Sequence, residues 1–311
     1  MLIKLLLFAA CLSCNASGME TKKILPPDPA RTAVLADNIS ADKFVLTDKE
    51  SQALQKKLGV DAEQLIVELV PVAKKHARPP ISNYFVGAVG LTKSGKIVFG
   101  NNLEFKGVVI NDTVHAEQFL TMMALFENDE LVTIAVSAEP CGFCRQFLNE
   151  IKGASKNLKV LVPGKAPRYL GELLPDSFGP DNLNVDVSVY SPRDNRLELI
   201  KKVDDKLILT ALENANKAYS PYSSSFSGAA IKMKSGKIYG GFYVENAAYN
   251  PSMQPLNAAI IKLVSDGGQY GDIKEVVLAE KKDAPIKQEA YSEALIKAIN
   301  PKAEFKLVTV L

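Results

Sequence analysis

The chain has 311 residues, of which 47% are apolar, and a formal net charge of +2. This length favours two domains, and the apolar content suffices for hydrophobic cores and excludes a disordered protein. The lysines are scattered and form no basic stripe, which argues against a nucleic acid partner. Beyond the N-terminal leader no apolar run is long enough to cross a bilayer, so no membrane partner is expected.

Residues 1–22 form a leader that we exclude from the fold. Lys4 precedes an apolar stretch from Leu5 to Leu12, and small residues follow at positions 16–18. This order is typical of a secretory signal peptide, although a single lysine is a weak charged region. The alternative is an apolar leader before a later start at Met19. A true signal peptide would make the protein secreted or periplasmic.

A small helical region is predicted for residues 23–75, after a proline-rich start. Between Asp48 and Lys75 apolar residues recur at helical spacing, namely Leu54, Leu58, Leu65, Leu69 and Val72. Gly59 followed by Asp61 indicates that one helix ends and another begins there.

Strands and helices alternate in residues 76–190, the first half of the remaining chain. The pattern predicts a hairpin, 86–92 and 97–105, around a tight turn at Ser94-Gly95. A helix (113–126), a strand (132–137), a second helix (141–151) and a strand (158–162) follow. This order predicts a mixed sheet with helices on its faces, an α/β fold with three α/β/α layers.

The second half, residues 191–311, is an internal copy of the first. At an offset of 141 residues, 13 of the 28 positions from 77 to 104 are identical without a gap. Such self-similarity predicts a duplicated fold. The copy has lost every residue with metal or proton chemistry: His115, Glu117, Cys141 and Cys144 correspond to Leu256, Ala258, Lys282 and Pro285.

The first half contains His115-Ala116-Glu117 and, later, Pro140-Cys141-Gly142-Phe143-Cys144. The order H-x-E followed by P-C-x-x-C is the signature of zinc deaminases. One imidazole and two thiolates leave a neutral zinc site with an open fourth position, as a catalytic site requires. Both cysteines begin a predicted helix, where backbone N–H groups stabilise thiolates.

Each of these residues also has an ordinary structural interpretation when taken alone. A lone C-x-x-C is compatible with a metal site or a redox pair, and a lone glutamate on a helix is usually solvated. A structural zinc site normally has four protein ligands, and the only other histidine is His76. The combined pattern therefore favours a catalytic zinc, with Glu117 close enough to a metal-bound water to move protons.

Over residues 30–311 the chain resembles the homodimeric, two-domain type of cytidine deaminase. Four motifs carry the resemblance: Phe99-Gly100-Asn101-Asn102-Leu103-Glu104-Phe105, Thr113-Val114-His115-Ala116-Glu117-Gln118, Pro140-Cys141-Gly142-Phe143-Cys144-Arg145-Gln146-Phe147 and Leu174-Pro175-Asp176-Ser177-Phe178-Gly179-Pro180. The resemblance implies a cytidine-deaminase-like fold, a homodimer, a cytoplasmic location and one zinc per chain on His115, Cys141 and Cys144.

The resemblance also implies the substrate contacts. Asn102, Leu103 and Glu104 form the substrate-binding strand end, with Asn102 and Glu104 on the ribose hydroxyls. Tyr84 stands where the family has an aromatic residue against the base, but Phe85 follows it, so which ring faces the base stays open. Phe178 matches a residue that reaches into the partner subunit's site.

The implied activity is hydrolytic deamination of cytidine and deoxycytidine to uridine, deoxyuridine and ammonia, in pyrimidine salvage. Zinc-bound hydroxide is the nucleophile and Glu117 the proton shuttle. Three alternatives stay open: a deaminase of bases in nucleic acid, which needs a basic channel, a deoxycytidylate deaminase, which needs cations for the phosphate, and a zinc scaffold without activity.

Overall fold

The computed structural model describes residues 23–40 and 42–311. The expected signal peptide in residues 1–22 lies outside the described residues. Among the helices that are described, none combines the length and apolar character needed to span a membrane.

The N-terminal region contains α1 (Pro29–Asn38), β1 (Val45–Leu46), α2 (Asp48–Leu58) and α3 (Ala62–Lys74). Thr47 caps α2 in a reciprocal pair with Glu50, and Gly59 ends it in the left-handed conformation with φ +63°. The Asp61 side chain then accepts a hydrogen bond from an N–H in the first turn of α3. The predicted helix end and the N-cap that follows it are therefore confirmed.

The first half is built on a six-stranded mixed sheet in the order β1-β3-β2-β4-β5-β6. Its other elements are β2 (Gly87–Thr92), β3 (Ile97–Asn101), α4 (Ala116–Phe126), β4 (Leu131–Val136), α5 (Gly142–Leu148), α6 (Ala154–Asn157), β5 (Lys159–Leu161), β6 (Arg168–Tyr169) and α7 (Leu170–Leu173). The predicted strand 97–105 ends early at Asn101 because Leu103 leaves the sheet and pairs instead with Val114.

Helices cover both faces of this sheet, as the three-layer prediction requires. A side chain at Gly87 would meet the backbone of Lys74 in α3, and one at Gly100 would meet the backbone of Ala116 and Leu120 in α4. Glycine at these two positions lets each helix approach the sheet closely. The close packing of α4 on β3 holds the start of α4 beside the end of that strand.

The second half repeats this architecture. It contains α8 (Lys206–Asn216), β7 (Ser227–Met233), β8 (Ile238–Phe242), α9 (Pro255–Ser265), β9 (Ile273–Lys281), α10 (Glu289–Ile299) and β10 (Glu304–Val310). Its sheet order is β10-β9-β7-β8, with β9 and β10 parallel as β4 and β5 are. Gly228 meets α8 and Gly241 meets α9 just as their counterparts in the first half meet α3 and α4.

The correspondence extends to α3, which the sequence analysis assigned to the helical region 23–75. Gly87 faces Val70 and Lys74, and Gly228 faces Ala211 and Ala215, each pair again 141 residues apart. We propose that the first repeat begins with α3 near Ala62 rather than at residue 76.

The two halves pack against each other through the equivalent helices α4 and α9. Phe126, at the end of α4, meets Phe242 edge-on at 5.6 Å between ring centroids. Asn257 of α9 donates from Nδ2 to the backbone oxygen of Asp112, at 3.1 Å. One hydrophobic core continues across both halves, so the second half supports the segment that leads into His115.

Candidate active site

His115 stands at the start of α4, where the extended chain turns into the helix. Leu103 and Val114 exchange backbone hydrogen bonds of 2.8 and 2.9 Å, which fixes the approach to the helix. The N–H of His115 then donates to Oε1 of Gln118 at 3.1 Å. The imidazole is thereby held at the end of the helix nearest the cysteines.

Cys141 and Cys144 begin α5, after the end of β4. The N–H of Cys144 donates to Sγ of Cys141 at 3.5 Å, so Cys141 caps the helix. Arg145 donates from Nε to the Pro140 oxygen at 2.7 Å and from a terminal nitrogen to the Leu173 oxygen at 2.8 Å. These bonds fix the turn that carries Cys141.

The three predicted ligands converge. Nδ1 of His115 lies 3.3 Å from Sγ of Cys144 and 3.7 Å from Sγ of Cys141, and the two sulfur atoms are 3.5 Å apart. A tetrahedral zinc at ordinary bond lengths places sulfur atoms about 3.8 Å apart and sulfur and nitrogen about 3.6 Å apart. The donor set and its spacing therefore fit zinc. Among the described residues this is the only group of its kind.

The surroundings shift the pKa values of the two thiols in opposite directions. Hydrogen bonds from Cys144 and His115 lower the pKa of Cys141 to about 3. The pKa of Cys144 is raised by its hydrogen bond with Cys141 and by burial. The thiolate is thus favoured on Cys141, which is the exposed cysteine of the two.

Glu117 lies in the first turn of α4 and is only 4% exposed. Burial raises the pKa of its carboxyl, while backbone and thiol hydrogen bonds oppose the shift. A carboxyl group in such surroundings exchanges protons more readily near neutral pH than a solvated one.

A cavity of about 370 Å³ opens above this group. Its walls include the predicted residues Tyr84, Asn102, Glu104, His115, Glu117 and Cys141. The volume is within the usual range for small-molecule sites. Residues from two loops and two helix starts therefore meet in one site.

Asn102 and Glu104 hold the loop that forms one wall of this cavity. Asn102 accepts from the N–H of Val86 and donates to the oxygen of Tyr84, both at 2.9 Å. Glu104 accepts from the N–H groups of Ile81 and Ser82, both at 2.9 Å, and from the Ser82 hydroxyl.

Burial alone would raise the pKa of Glu104, but these hydrogen bonds hold it below its ordinary value. Both side chains keep some hydrogen-bonding capacity for a ligand, because an amide can form four hydrogen bonds and a carboxylate about four.

The remaining predicted residues lie in different surroundings. Tyr84 lines the cavity and is 60% exposed, whereas Phe85 does not line it. Leu103 is fully buried outside the cavity, and its backbone groups are both used by Val114. Phe178 is 47% exposed and does not line the cavity of its own chain.

The sequence did not identify two residues that support the site. Ser82 closes the hydrogen-bonded group around Glu104, and Arg145 holds the turn before Cys141. Ser82 recurs as Ser223 in the internal repeat, which was the available signal. Arg145 follows the second cysteine directly, but nothing in the sequence shows which carbonyl groups it reaches.

Comparison with known proteins agrees with the site. Two family models, each described as "Cytidine and deoxycytidylate deaminase zinc-binding region", match residues 60–159 and 170–293. A cytidine deaminase from Photorhabdus laumondii is 40% identical over 256 residues, which is 82% of this chain and 86% of that protein. The chain belongs to the cytidine deaminase family. The resemblance to cytidine deaminases is thus confirmed, and so is zinc as the metal. The homodimer stays a prediction.

Solved structures of cytidine deaminases match about a third of the chain. One from Mycobacterium tuberculosis is 36% identical and covers 35% of this chain and 91% of its own, with a TM-score of 0.31. One from Mycobacterium leprae is 27% identical and covers 35% and 93%, also with a TM-score of 0.31.

Purified protein should contain one zinc per chain, although the zinc-binding family description matches both halves. The reason is that the second half has Lys282 and Pro285 where the first half has its two cysteines. Elemental analysis checks the ratio, and Cys141→Ser should lose metal and activity together. Two zinc ions per chain would contradict the loss of the second site.

Proposed function

We propose that this protein deaminates cytidine and deoxycytidine by hydrolysis, giving uridine or deoxyuridine and ammonia in pyrimidine salvage. The observation that supports this most directly is the buried Glu117, next to a zinc-compatible group and at the wall of a nucleoside-sized cavity. Membership of the cytidine deaminase family agrees with this chemistry.

In the proposed mechanism His115, Cys141 and Cys144 hold the zinc, which when bound supplies Lewis acidity toward water. Glu117 takes a proton from the attacking water and delivers it to ring N3, which makes C4 electrophilic. As the water oxygen bonds to C4, a hydroxyl group forms there. Glu117 then takes the second proton from this hydroxyl and gives it to the exocyclic amine. The C4–N bond breaks, ammonia leaves and a carbonyl group remains at C4. Glu117 lies two residues after His115, so the same carboxyl group is close to the zinc site for each of these proton transfers.

The sugar contacts are a separate part of the proposal. Asn102 and Glu104 face the cavity and retain hydrogen-bonding capacity for ribose hydroxyls. By fixing the sugar they hold C4 near the reacting water, which uses remote binding energy for positioning. Tyr84 lies against the base in this arrangement, since Phe85 does not line the cavity.

The charges around the cavity favour a nucleoside over a nucleotide. Glu104, Glu117 and Glu139 line it, and none of its described lining residues is lysine or arginine. Lys165 and Arg168 form ion pairs with Glu139, one of the lining carboxylates. A phosphate would therefore meet like charges, which is costly in a partly buried site.

Cytidine and deoxycytidine should be turned over, whereas cytosine and cytidine monophosphate should be poor substrates. A site that binds hydroxyl groups leaves polar groups unpaired when the sugar is missing. Ammonia release from the four compounds, assayed side by side, tests this. Comparable turnover of the monophosphate would assign the protein to the nucleotide deaminases.

Glu104→Ala should raise KM for cytidine and reduce the discrimination against cytosine. Glu245→Ala is a matched control, because Glu245 accepts equivalent hydrogen bonds from Ser220, Tyr222 and Ser223 in the second half. Both variants lose the same kind of loop contact, but only Glu104 lines the cavity of the zinc site. Equal effects of both variants would make the role of Glu104 purely structural.

We propose a homodimer in which the partner covers the cavity and Phe178 reaches the neighbouring site. Several large apolar side chains are exposed near the cavity, namely Ile81, Tyr84, Phe85, Val109 and Ile110. Such a patch is typical of a surface that another chain covers. A molecular mass equal to that of one chain in analytical ultracentrifugation would exclude the dimer.

We also propose a cytoplasmic location. A mature protein whose chain begins near residue 23 would exclude it, because the leader would then have been removed as a signal peptide.

A further inference from the structure

A second cavity, of about 310 Å³, lies where the two halves of the chain meet. We call it the junction cavity, lined among others by Asp112, Thr113, Phe143, Tyr249, Gln254 and Tyr291. Thr113 also lines the cavity of the zinc site, so the two cavities share a wall at this residue. The volume is large enough for a small organic molecule.

Among the residues that the structure describes, Asp112 is the only carboxylate that lines the junction cavity, and it is 7% exposed. Within residues 23–40 and 42–311 its carboxylate has no hydrogen-bond donor and no ion-pair partner, and burial alone raises its pKa, to about 6. A carboxylate with so little exposure is poorly solvated, and an N–H donor or a cation beside it stabilises it. Asp112 therefore offers the junction cavity an anionic acceptor that has no protein partner of its own.

The second half holds this residue in place. Tyr291 of α10 donates its hydroxyl to Oδ1 of Asn257, and Nδ2 of Asn257 donates to the backbone oxygen of Asp112, at 3.1 Å. The backbone of Asp112 is thus fixed by two helices. The carboxylate of Asp112 therefore belongs to a part of the cavity wall whose backbone is held in place.

The other walls have matching chemistry. Phe143, Tyr249 and Tyr291 contribute aromatic rings. No lysine, arginine or histidine is among the described lining residues, and the other titratable groups there are tyrosines 243, 249 and 291. Hydrogen-bond acceptors, one negative charge and aromatic rings together suit a cation that carries N–H groups.

We propose that the junction cavity binds a small amine cation, with Asp112 as its counter-ion. Ammonium, which the proposed reaction releases on the other side of Thr113, is the smallest member of this class. That link rests on the proposed function, whereas the site itself does not.

The test uses the zinc-loaded full chain with ammonium chloride, methylammonium chloride or tetramethylammonium chloride, and sodium chloride as the ionic-strength control. The shift in Tm and the tyrosine fluorescence report binding, since the chain contains no tryptophan. We expect a saturable response to the first two salts. Asp112→Asn should weaken it at least about tenfold. Asp204→Asn, an exposed aspartate outside the cavity, should not change it.

Wild-type binding should also weaken as the pH falls through about 6, because protonation removes the negative charge of Asp112. An identical response of wild type and Asp112→Asn would overturn the site, as would a response no larger than that to sodium chloride. Equal binding of tetramethylammonium and methylammonium would overturn the hydrogen-bonding role. Cytidine turnover in the same samples shows separately whether the proposed function fails.

Discussion

Glu117→Gln should lose nearly all turnover of cytidine while its zinc content and fold stay unchanged. Glutamine has the same shape as glutamate but cannot take and return a proton. Loss of a general acid–base usually reduces the rate by about 10²–10⁴-fold, and here one carboxyl serves several transfers. The change leaves the proposed zinc ligands in place, so kcat should fall while the zinc content stays the same.

Glu139→Gln is the matched control for this variant. Glu139 lines the same cavity and also carries a carboxylate, but it is exposed and paired with Lys165 and Arg168. Exposed ion pairs contribute little free energy, so Glu139→Gln should keep a rate within a few-fold of wild type. If Glu117→Gln also stayed within tenfold of wild type, another group would have to move the protons.

Much of the fold follows from features that a sequence displays directly. The hairpin around Gly95, the helix end at Gly59 and the N-cap Asp61 are local, so each is written in a few neighbouring residues. The repeat of 141 residues was visible because turn and glycine positions tolerate few substitutes. Gly87 and Gly228 both lie within contact of a helix backbone, where no side chain fits.

A comparison of α3 with α8 shows why sequence identity alone underestimates the length of the repeat. It packs on β2 as α8 packs on β7, yet residues 62–74 share no identity with residues 203–215. A buried helix face requires apolar side chains of suitable volume rather than particular residues. Such a correspondence appears only when the contacts are known.

The zinc ligands were predictable because metal chemistry restricts the residue types and their spacing. The hydrogen bonds of Glu104 and Asn102 to the loop 81–86 were not, since they join residues that are 16 to 23 positions apart and follow no periodic pattern. The equivalent contacts of Glu245 show that this loop support exists in both halves. Each half therefore has a carboxylate that holds this loop, whereas only the first half has the metal-binding residues.

Deletion of residues 191–311 should give an aggregated or inactive protein, although every proposed catalytic residue remains. The deletion exposes the face of α4 that packs on α9, in a core that continues across both halves. Glu150, which is 3% exposed, would lose the hydroxyls of Tyr219 and Tyr222 and the N–H of Ala247. The deletion therefore removes the polar contacts that join the halves and exposes apolar surface, which favours aggregation.

Co-expression of residues 191–311 as a separate chain is the control for this deletion. The contacts between the halves are non-covalent, so the two pieces should associate and recover soluble protein and cytidine turnover. Solubility, zinc content and kcat are measured for the deletion alone and for the co-expressed pair. A soluble, zinc-loaded and fully active fragment of residues 1–190 would show that the second half is dispensable, and Glu150 would then have to be satisfied by solvent.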